Sequence, residues 1–455
     1  MIPTSGAAIL ITYHGTIMYG ANVRQSTQSR ALSPTILRVY AATLVLGVAY
    51  GISIALTALV LDAHHFSKQQ IGTLAAIFAS GIVAISLPVG GLIRRISARN
   101  TLVIAIVGYA IAVASFPWPE SYWAVGLIRF VDGACSVGIW VSCETILLAQ
   151  AEKGRKAFVT SLYAIAMSIG YVIGPIVASL VVKVWSMPVA FGASGVIALG
   201  SLPFVWGLAR DAHLHVEGVP EVEGVSVPAE TSPKEQALTL PPSTEASLTM
   251  GGVFWKIKTS CFATFSYGYF QASVVLFLPL YLMRDKAILK EQTIIIPAFF
   301  AGGMLLFSNF AGRFGDRRGH LRIMRILSVV GALMILGFVF LNGFPSMCVA
   351  VFVAGATLAS LSPLSIALQG IVVQPRDYSR ANSIYNALYA AGMLLGPPIS
   401  SVIFEKLGGA AMLYHLAGIW GLFVIFTVVF ASDDPARRSV LDEKSRVAAE
   451  RNAVA

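Results

Sequence analysis

Long apolar segments separated by short polar links dominate the chain. Each is long enough to cross ~30 Å of hydrocarbon as an α-helix, which rises ~1.5 Å per residue. Helices are required, because a segment that spans a bilayer must satisfy its own backbone hydrogen bonds. The pattern therefore predicts an all-α membrane protein with twelve transmembrane helices. We expect them at 38–62, 69–93, 101–117, 121–150, 157–183, 187–209, 258–283, 292–312, 323–341, 345–372, 380–404 and 411–431.

The twelve segments fall into two groups of six, and this division predicts the domains. The polar stretch at 210–251, rich in Pro, Ser, Glu and Val, is expected to be a flexible, net acidic cytoplasmic linker, with a small folded insert as the alternative. Six-helix bundles are expected on either side of it, at 37–209 and 252–432. Residues 1–36 and 433–455 are predicted tails. The apolar patch within 1–36 is not interpreted as a signal peptide, because it lacks the basic region and the cleavage site of one.

Composition and charge agree with a membrane location. The chain is 56% hydrophobic and 12% charged, with a mean hydropathy of +0.76, whereas soluble proteins carry about 25% charged residues. With both termini inside, the short inside connections hold thirteen Lys and Arg and the outside connections six. Because basic loops stay in the cytoplasm, we expect a multi-pass protein of the cell (inner) membrane with both termini cytoplasmic. The pI of about 9.5 then reflects these loops and does not indicate a nucleic-acid partner.

The two halves repeat at an offset of 222 residues. Gly81 aligns with Gly303, and Ser161, Tyr163, Gly170, Gly174 and Pro175 align with Ser383, Tyr385, Gly392, Gly396 and Pro397. Six-helix units repeated in the same membrane orientation are parallel repeats, related by an axis along the membrane normal. Such pairs of bundles hold a substrate between them near the middle of the bilayer.

Two polar connections carry the clearest motif. "GRFGDRRG", at 312–319, resembles the G-x-x-x-D-R-x-G loop signature of the major facilitator superfamily, with matches at Gly312, Asp316, Arg317 and Gly319. The first-half copy, "GGLIRRIS", at 90–97, keeps Gly90 and Arg95 but has Arg94 in place of the acid and Ser97 in place of the second glycine. The resemblance covers about 37–432. It implies a monomeric transporter in which two six-helix bundles rock about a central substrate site.

A latch is expected where this signature lies. Gly312 and Gly319 are predicted to allow a tight turn between helices, and Asp316 is expected at the positive N-terminal end of the fifth helix, near Ala157. Asp377, just before the eleventh helix, is expected to supply the carboxylate that Arg94 replaces in the first copy. The contacts would form only with the cytoplasmic side closed. The alternative is that these arginines only fix the topology and bind lipid.

A second motif lies inside the fifth and eleventh helices. "GYVIGP", at 170–175, resembles the G-x-x-x-G-P signature of antiporters, although the terminal glycine pair of that signature is Ala178 and Ser179 here. Glycines four apart allow close helix packing, and proline bends a helix. Packing alone and a role in coupling are both open. The candidate residues are Gly170, Gly174, Pro175, Gly392, Gly396 and Pro397.

The fourth predicted helix carries the most informative polar stripe. At ~100° per residue, Arg129, Asp132, Ser136, Trp140 and Glu144 fall within an arc of about 120°. A charge at the bilayer centre costs at least ~2.5–3.5 kcal/mol, so the stripe should face protein or a water-filled cavity. Arg129 and Asp132 can pair at three residues apart, and Glu144 has no such local partner. We expect Asp132 and Glu144 to carry protons, with Arg129 tuning Asp132; a purely structural ion pair is the alternative.

Softer stripes on three other helices complete a predicted substrate cavity. Hydroxyl, amide and aromatic groups share a face on each, which suits an organic substrate with apolar area and a few hydrogen bonds; packing in the core is the alternative. The candidates are Tyr40, Thr43 and Tyr50 on the first helix, Tyr267 and Gln271 on the seventh, and Asn382, Tyr385, Asn386 and Tyr389 on the eleventh, with Ser136 and Trp140 on the fourth.

These observations predict a secondary active transporter. The antiporter-like motif and the acids of the fourth helix favour proton-coupled export of a small organic molecule. The alternatives are an uptake symporter or facilitator for a sugar or organic acid, and a membrane sensor that does not transport. The chain has no nucleophile elbow, phosphate-binding loop or metal-ligand spacing, and its four cysteines lie in apolar segments. We therefore expect no enzymatic activity, no metal and no cofactor, with the lipid bilayer, protons and the substrate as partners.

Overall fold

A computed structural model describes residues 32–86, 88–151, 156–208, 249–374 and 377–431. The predicted tails and central linker lie almost entirely outside these ranges. The described helices are α1 (Pro34–Ala63), α2 (Lys68–Ser86), α3 (Pro88–Ile96), α4 (Ala98–Ser115), α5 (Tyr122–Gln150), α6 (Lys156–Val184), α7 (Met187–Leu199), α8 (Leu202–Trp206), α9 (Met250–Arg284), α10 (Lys290–Arg318), α11 (His320–Phe338), α12 (Phe344–Leu358), α13 (Leu361–Val372), α14 (Tyr378–Leu407) and α15 (Gly409–Val429).

Within the described ranges, twelve helical segments are long and apolar enough to cross a membrane. Helices α7 and α8 form one such span, and so do α12 and α13. This confirms the predicted all-α membrane fold with twelve spans. Exposed tryptophans cluster at the ends of spans, with Trp118, Trp123 and Trp185 at one end and Trp206 and Trp255 at the other. Tryptophan is enriched at both membrane interfaces, so these rings mark the two surfaces of the bilayer.

The seventh span begins eight residues earlier than its hydropathy predicted. Helix α9 begins at Met250 because the Thr249 side chain accepts a hydrogen bond from the Gly252 N–H at 3.2 Å and so caps it. The charge inside this first part is accommodated locally, since Lys258 Nζ donates to the Trp255 carbonyl at 3.2 Å and lies 4.8 Å from the Phe430 ring centre. A long amphipathic side chain can thus place its amine at the rim of an otherwise apolar helix.

The predicted turn between the eighth and ninth spans is wrong at Gly312. That glycine lies within α10, which continues to Arg318, and the turn depends on Gly319 alone, at φ 91°. In the first half, Ser97 occupies the equivalent turn position at φ 77°. The signature is therefore mostly the last turns of a helix, because its arginines suit the negative C-terminal end of the helix dipole.

The first helix of each half is among the most buried of its bundle. Helix α1 buries 78% of its most apolar stretch, and in the second half α9 buries 67% and the span of α12 and α13 buries 72%, against 39% for α15, so these helices lie deepest in their bundles. Close crossings hold the neighbours: the backbone of α2 meets α5, and the backbone of α10 meets α12, at facing glycines. The outer faces of the bundles stay apolar and exposed in the isolated chain, as at Ile111, Val196 and Ile425, which suits contact with lipid tails.

Candidate functional site: a central cavity sealed at one end

A charged pair lies on α5. Arg129 Nη1 lies 2.6 Å from Asp132 Oδ2, and the Ser136 hydroxyl donates to Asp132 Oδ1 at 3.4 Å. Asp132 and Ser136 are buried, and the Arg129 side chain is 11% exposed. The spacing of three and four residues brings the three side chains to one face of the helix. A buried pair of opposite charges costs desolvation that only good local contacts offset, and this pair lies in the wall of a cavity.

The position of Arg129 depends on the crossing of α2 and α5. A Cβ added at Gly133 would clash with the Phe78 carbonyl oxygen, so only glycine lets the helices approach this closely. The approach places the Phe78 ring under the guanidinium, with the Arg129 Cζ 4.2 Å from the ring centre. A cation over an aromatic face is stabilised by the ring quadrupole. Arg129 is thus held by Phe78 as well as by Asp132.

Aromatic rings extend this wall of the N-terminal bundle. The Tyr50 ring centre lies 4.4 Å from that of Tyr109, 6.1 Å from that of Trp140 and 6.5 Å from that of Tyr171. These rings come from α1, α4, α5 and α6, so one cluster joins four helices. It combines apolar area with hydroxyl groups, which is how a transporter wall can bind an organic molecule.

The C-terminal bundle supplies the opposite wall. The Tyr389 hydroxyl donates to Gln271 Oε1 at 2.9 Å, and the Tyr389 ring stacks on Tyr267 with centres 6.2 Å apart. The rest of this wall is apolar. It includes Phe270, Val274, Leu278, Pro279, Ile296, Phe300 and Met304.

The two walls enclose adjoining compartments, which together we call the central cavity. The polar compartment, of about 180 Å³, contains Arg129, Asp132 and Tyr50. The apolar compartment, of about 380 Å³, contains the C-terminal wall. Both are lined by six shared residues: Ile54, Trp140, Tyr171, Gln271, Val275 and Tyr389. Ligand pockets are commonly 300–1,000 Å³, so the cavity has the size of a site for a small organic molecule.

Five of the predicted substrate residues line this cavity and the others do not. The lining members are Tyr50, Trp140, Tyr267, Gln271 and Tyr389. Several of the others have partners elsewhere: Tyr40 donates to the Val159 carbonyl at 2.8 Å, and the Tyr385 hydroxyl lies 2.8 Å from Ser365 Oγ. Thr43 is buried and Ser136 lies behind Asp132. Asn382 and Asn386 are exposed, and Asn382 Oδ1 accepts from Gln369 Nε2 at 2.6 Å.

Sequence patterns missed most of the apolar wall. Phe270, Leu278 and Phe300 lie in uniformly apolar segments, where nothing distinguishes a residue that faces a cavity from one that faces lipid. Tyr171 was detectable, since it lies on the helix of the predicted antiporter-like motif, directly after Gly170.

At one end the two bundles are joined by several contacts, and we call this the sealed end. Arg284, the last residue of α9, forms an ion pair with Asp62 near the end of α1. The Gln69 N–H donates to Glu405 Oε2 at 3.1 Å, and Lys68 Nζ lies 4.8 Å from the Phe404 ring centre.

Backbone approach tightens the same end. A Cβ at Gly72 of α2 would lie 2.6 Å from Ser401 Oγ and 2.7 Å from the Pro397 carbonyl oxygen of α14. On the other side of the interface, Ser179 Oγ donates to the Glu291 carbonyl oxygen at 3.2 Å. Small residues on α2, α6 and α14 therefore let the bundles meet directly.

The opposite end, which carries the loop signature, differs. Arg94, Arg95, Asp316 and Arg317 have exposed side chains. Within the described ranges, Asp316 Oδ1 lies 3.2 Å from Nε2 of His320, in the same bundle. Asp377 is buried, with its Oδ1 3.6 Å from Arg380 Nη1. The side chains at the start of α6, where the latch places Asp316, lie outside the described residues, so the latch stays a prediction.

The G-x-x-x-G-P glycines lie at helix crossings. A Cβ at Gly170 or Gly174 of α6 would clash with the α1 backbone at Gly47 or Gly51, and one at Gly392 or Gly396 of α14 would clash with α9 at Phe265 or Tyr269. Pro175 lines the apolar compartment, and Pro397 meets Gly72 at the sealed end. Close packing of the helices therefore explains why small residues are needed at these positions.

Comparison with known proteins decides the family. The model of the Major Facilitator Superfamily matches residues 39–257 and 260–453. The chain belongs to this superfamily. It is 24% identical over 332 residues to the MFS-type transporter YfkF of Bacillus subtilis, covering 71% of this chain and 78% of YfkF. It is 22% identical over 394 residues to the MFS-type transporter YcaD of Escherichia coli, covering 86% and 94%.

Solved structures support the same fold. The nucleoside transporter NupG superposes with a TM-score of 0.66 at 14% identity, covering 87% of this chain and 98% of NupG. A POT family transporter in complex with a thioalcohol-conjugated peptide gives a TM-score of 0.70 at 12% identity, covering 87% and 96%. A superfamily member with this fold is a multi-pass membrane transporter and not an enzyme. The bilayer and a small-molecule substrate are its partners.

Proposed function

We propose that this superfamily member exports a small organic molecule in exchange for protons, by alternating access to the central cavity. The observation that carries the proposal is the difference between its two ends. Contacts between the bundles close the sealed end, while the signature residues at the other end are exposed. A cavity reached from one side at a time is what alternating access requires.

The charge distribution suggests which side of the membrane each end of the cavity faces. Basic residues are concentrated at the signature end, which supports a cytoplasmic location for that end. The sealed end then faces away from the cytoplasm, and the structure corresponds to an inward-facing state. In the outward-facing state the Asp62–Arg284 pair breaks and the cytoplasmic latch at Asp316 forms.

Proton coupling is assigned to α5. Asp132 lies in the cavity wall beside a cation, so the binding of a proton changes the charge of the pair and the position of Arg129. Glu144 lies one helical turn beyond Trp140 on the same face and has an exposed side chain. It is suited to pass protons between the cavity and the cytoplasm. Substrate and proton are exchanged because each favours a different arrangement of the same site. The proton binds to Asp132, whereas the substrate binds beside the ionised Arg129–Asp132 pair.

The test uses proteoliposomes with an imposed proton gradient and a radiolabelled ligand selected by thermal-shift screening. We expect accumulation against the direction of proton flow. Asp132→Asn should abolish gradient-driven accumulation and leave downhill exchange measurable, and Glu144→Gln should slow accumulation. Glu120→Gln, in the exposed link before α5, is the matched control and should change neither.

The outcomes separate the alternatives. Accumulation in the direction of proton flow would indicate an uptake symporter in place of an exporter. A ligand that binds without moving would indicate a sensor. Unchanged proton-driven accumulation in both Asp132→Asn and Glu144→Gln would contradict the assignment of the proton to α5.

A further inference from the structure

The hydrogen-bonding groups of the polar compartment are unevenly used. A guanidinium carries five N–H donors in a fixed fork, and Arg129 is bound to Asp132 through Nη1 alone. Its Nε is buried and has no hydrogen-bond partner in the described part of the chain. The Phe78 ring lies against one face of the group, at 4.2 Å from Cζ. Arg129 is therefore held in place with one edge of its fork unused.

Two more groups at this cavity have unused donors. The Tyr50 hydroxyl is buried and has no partner within the described ranges. Gln271 uses its Oε1 to accept from Tyr389 at 2.9 Å, which leaves the amide nitrogen, a group that can only donate. Arg129 and Tyr50 lie on the wall of the N-terminal bundle and Gln271 lies on the opposite wall. Donor-bearing side chains of both bundles therefore line the polar compartment.

Each oxygen of Asp132, the strong acceptor of the compartment, already has one hydrogen-bond partner. Asp132 Oδ2 is bound to Arg129 and Oδ1 accepts from Ser136. A cationic ligand would have to compete with Arg129 for Asp132, and it would lie beside the guanidinium, where like charges repel. A neutral acceptor faces neither cost, whereas a carboxylate meets the repulsion of Asp132 but gains the attraction of Arg129.

We propose that the substrate presents an oxygen acceptor, either a carbonyl or a carboxylate, to the unused edge of Arg129, and that organic cations are excluded. The proposal rests on the proposed function, since it takes the central cavity as the transport site. The apolar compartment, lined by Phe270, Leu278, Phe300 and Met304, receives the body of the molecule. Arg129 is then the residue that determines specificity for the polar end.

The two acceptors differ in their effect on Asp132. A neutral carbonyl binds the free N–H groups and leaves the Arg129–Asp132 pair intact, which is compatible with exchange against a proton. A carboxylate competes with Asp132 for the same guanidinium and favours protonation of Asp132. The binding of a carboxylate should therefore take up a proton, which corresponds to co-transport and would count against exchange, whereas the binding of a carbonyl compound should not.

The test is calorimetry on the purified chain in lipid nanodiscs with three probes that share a naphthyl body: 2-naphthylacetamide, 2-naphthylacetate and 2-(2-naphthyl)ethylammonium. At least one of the two acceptor probes should bind ten times or more tightly than the ammonium probe. Titration in buffers of different ionisation enthalpy reports proton uptake and distinguishes the carboxylate mode from the carbonyl mode. Equal affinities, tightest binding of the ammonium probe, or no measurable binding of either acceptor probe would overturn the proposal.

Variants test the assigned residue. Arg129→Lys keeps the positive charge but removes the fork, and should weaken the acceptor probes about tenfold. The double variant Arg129→Gln with Asp132→Asn replaces the pair by neutral amides, leaves no unpaired buried charge, and should abolish the preference among probes. Lys258→Gln removes a buried cation that lies outside the cavity, and should leave the order of affinities unchanged. A preference that persists in the double variant would assign specificity elsewhere.

Failure of this proposal and of the proposed function are distinguishable. Binding measurements require no transport, so the expected order of affinities can hold in a chain that moves nothing, which would reject the exporter alone. Conversely, gradient-driven export of the ammonium probe would reject the substrate class and support the transporter.

Discussion

Single residues show where the two halves of the chain have diverged. Ser97 and Gly319 occupy equivalent turns 222 positions apart, at φ 77° and 91°. A left-handed conformation is open to glycine and costs a residue with a side chain of order 1–3 kcal/mol. Ser97 recovers part of this cost, since its hydroxyl accepts from the Asn100 N–H at 3.3 Å and caps α4. The first half thus has the same turn as the second, but with serine in place of glycine, the residue that favours this conformation.

Ser97→Gly should therefore stabilise the protein. Glycine removes the backbone strain and costs only a few tenths of a kcal/mol as a cap in place of serine, so we expect a gain of about 1 kcal/mol. Thermal unfolding in detergent, followed by near-UV circular dichroism, measures it. Ser97→Ala is the control and should destabilise, because alanine keeps the strain and loses the cap. A lower melting temperature for Ser97→Gly would show that the hydroxyl outweighs the strain.

Helix crossings show what the halves have preserved. Gly133 faces the Phe78 carbonyl oxygen and Gly81 faces that of Phe130. In the second half, Gly355 faces the Phe300 carbonyl oxygen and Gly303 faces that of Phe352. All four positions of the first crossing reappear 222 residues later with the same amino acids. In a membrane, where lipid tails are as apolar as side chains, such backbone approach is a main source of helix association.

Gly303→Ala should be destabilising and the neighbouring Gly302→Ala should not. A Cβ at Gly303 would clash with the Phe352 carbonyl oxygen, whereas one at Gly302 would meet the Phe352 ring at an ordinary 3.7 Å. Overpacking costs typically 1–3 kcal/mol, so we expect that loss for Gly303→Ala in the same unfolding experiment. Similar melting temperatures for the two variants would mean that α10 and α12 can separate freely.

For the whole molecule, hydropathy predicts the number and type of spans because each helix meets the bilayer separately. The offset of 222 further predicts how the halves are arranged. Contacts between the halves escape such patterns, since Asp62 and Arg284 each look like an ordinary charge at a helix end. In the cavity, polar residues such as Gln271 stand out among apolar neighbours, whereas Phe300 does not. Which end is sealed depends on small free-energy differences between states, and these leave no periodic pattern.

Exchange of the charges at Asp62 and Arg284 should test the seal. Asp62→Arg or Arg284→Asp places like charges together and should open the sealed end, and the double exchange should close it again. A Ser401→Cys reporter, buried opposite Gly72, in a chain without its four native cysteines measures opening by maleimide labelling. An exposed pair contributes about 0–1 kcal/mol and ~1.4 kcal/mol is tenfold, so the single variants should label several-fold faster. If the double variant is labelled as fast as the single variants, the pair does not hold the sealed end closed.

The ion pair at the sealed end joins residues that occupy the same place in the two repeats, since Asp62 and Arg284 are 222 positions apart. The pair therefore lies on the pseudo-two-fold axis between the bundles. Two copies of the N-terminal half, arranged about the same axis, would bring two carboxylates together. Two copies of the C-terminal half would bring two guanidinium groups together. The opposite charges on the axis therefore favour association of an N-terminal half with a C-terminal half. If the chain were cut in its linker, each half would bind the other half in preference to a second copy of itself.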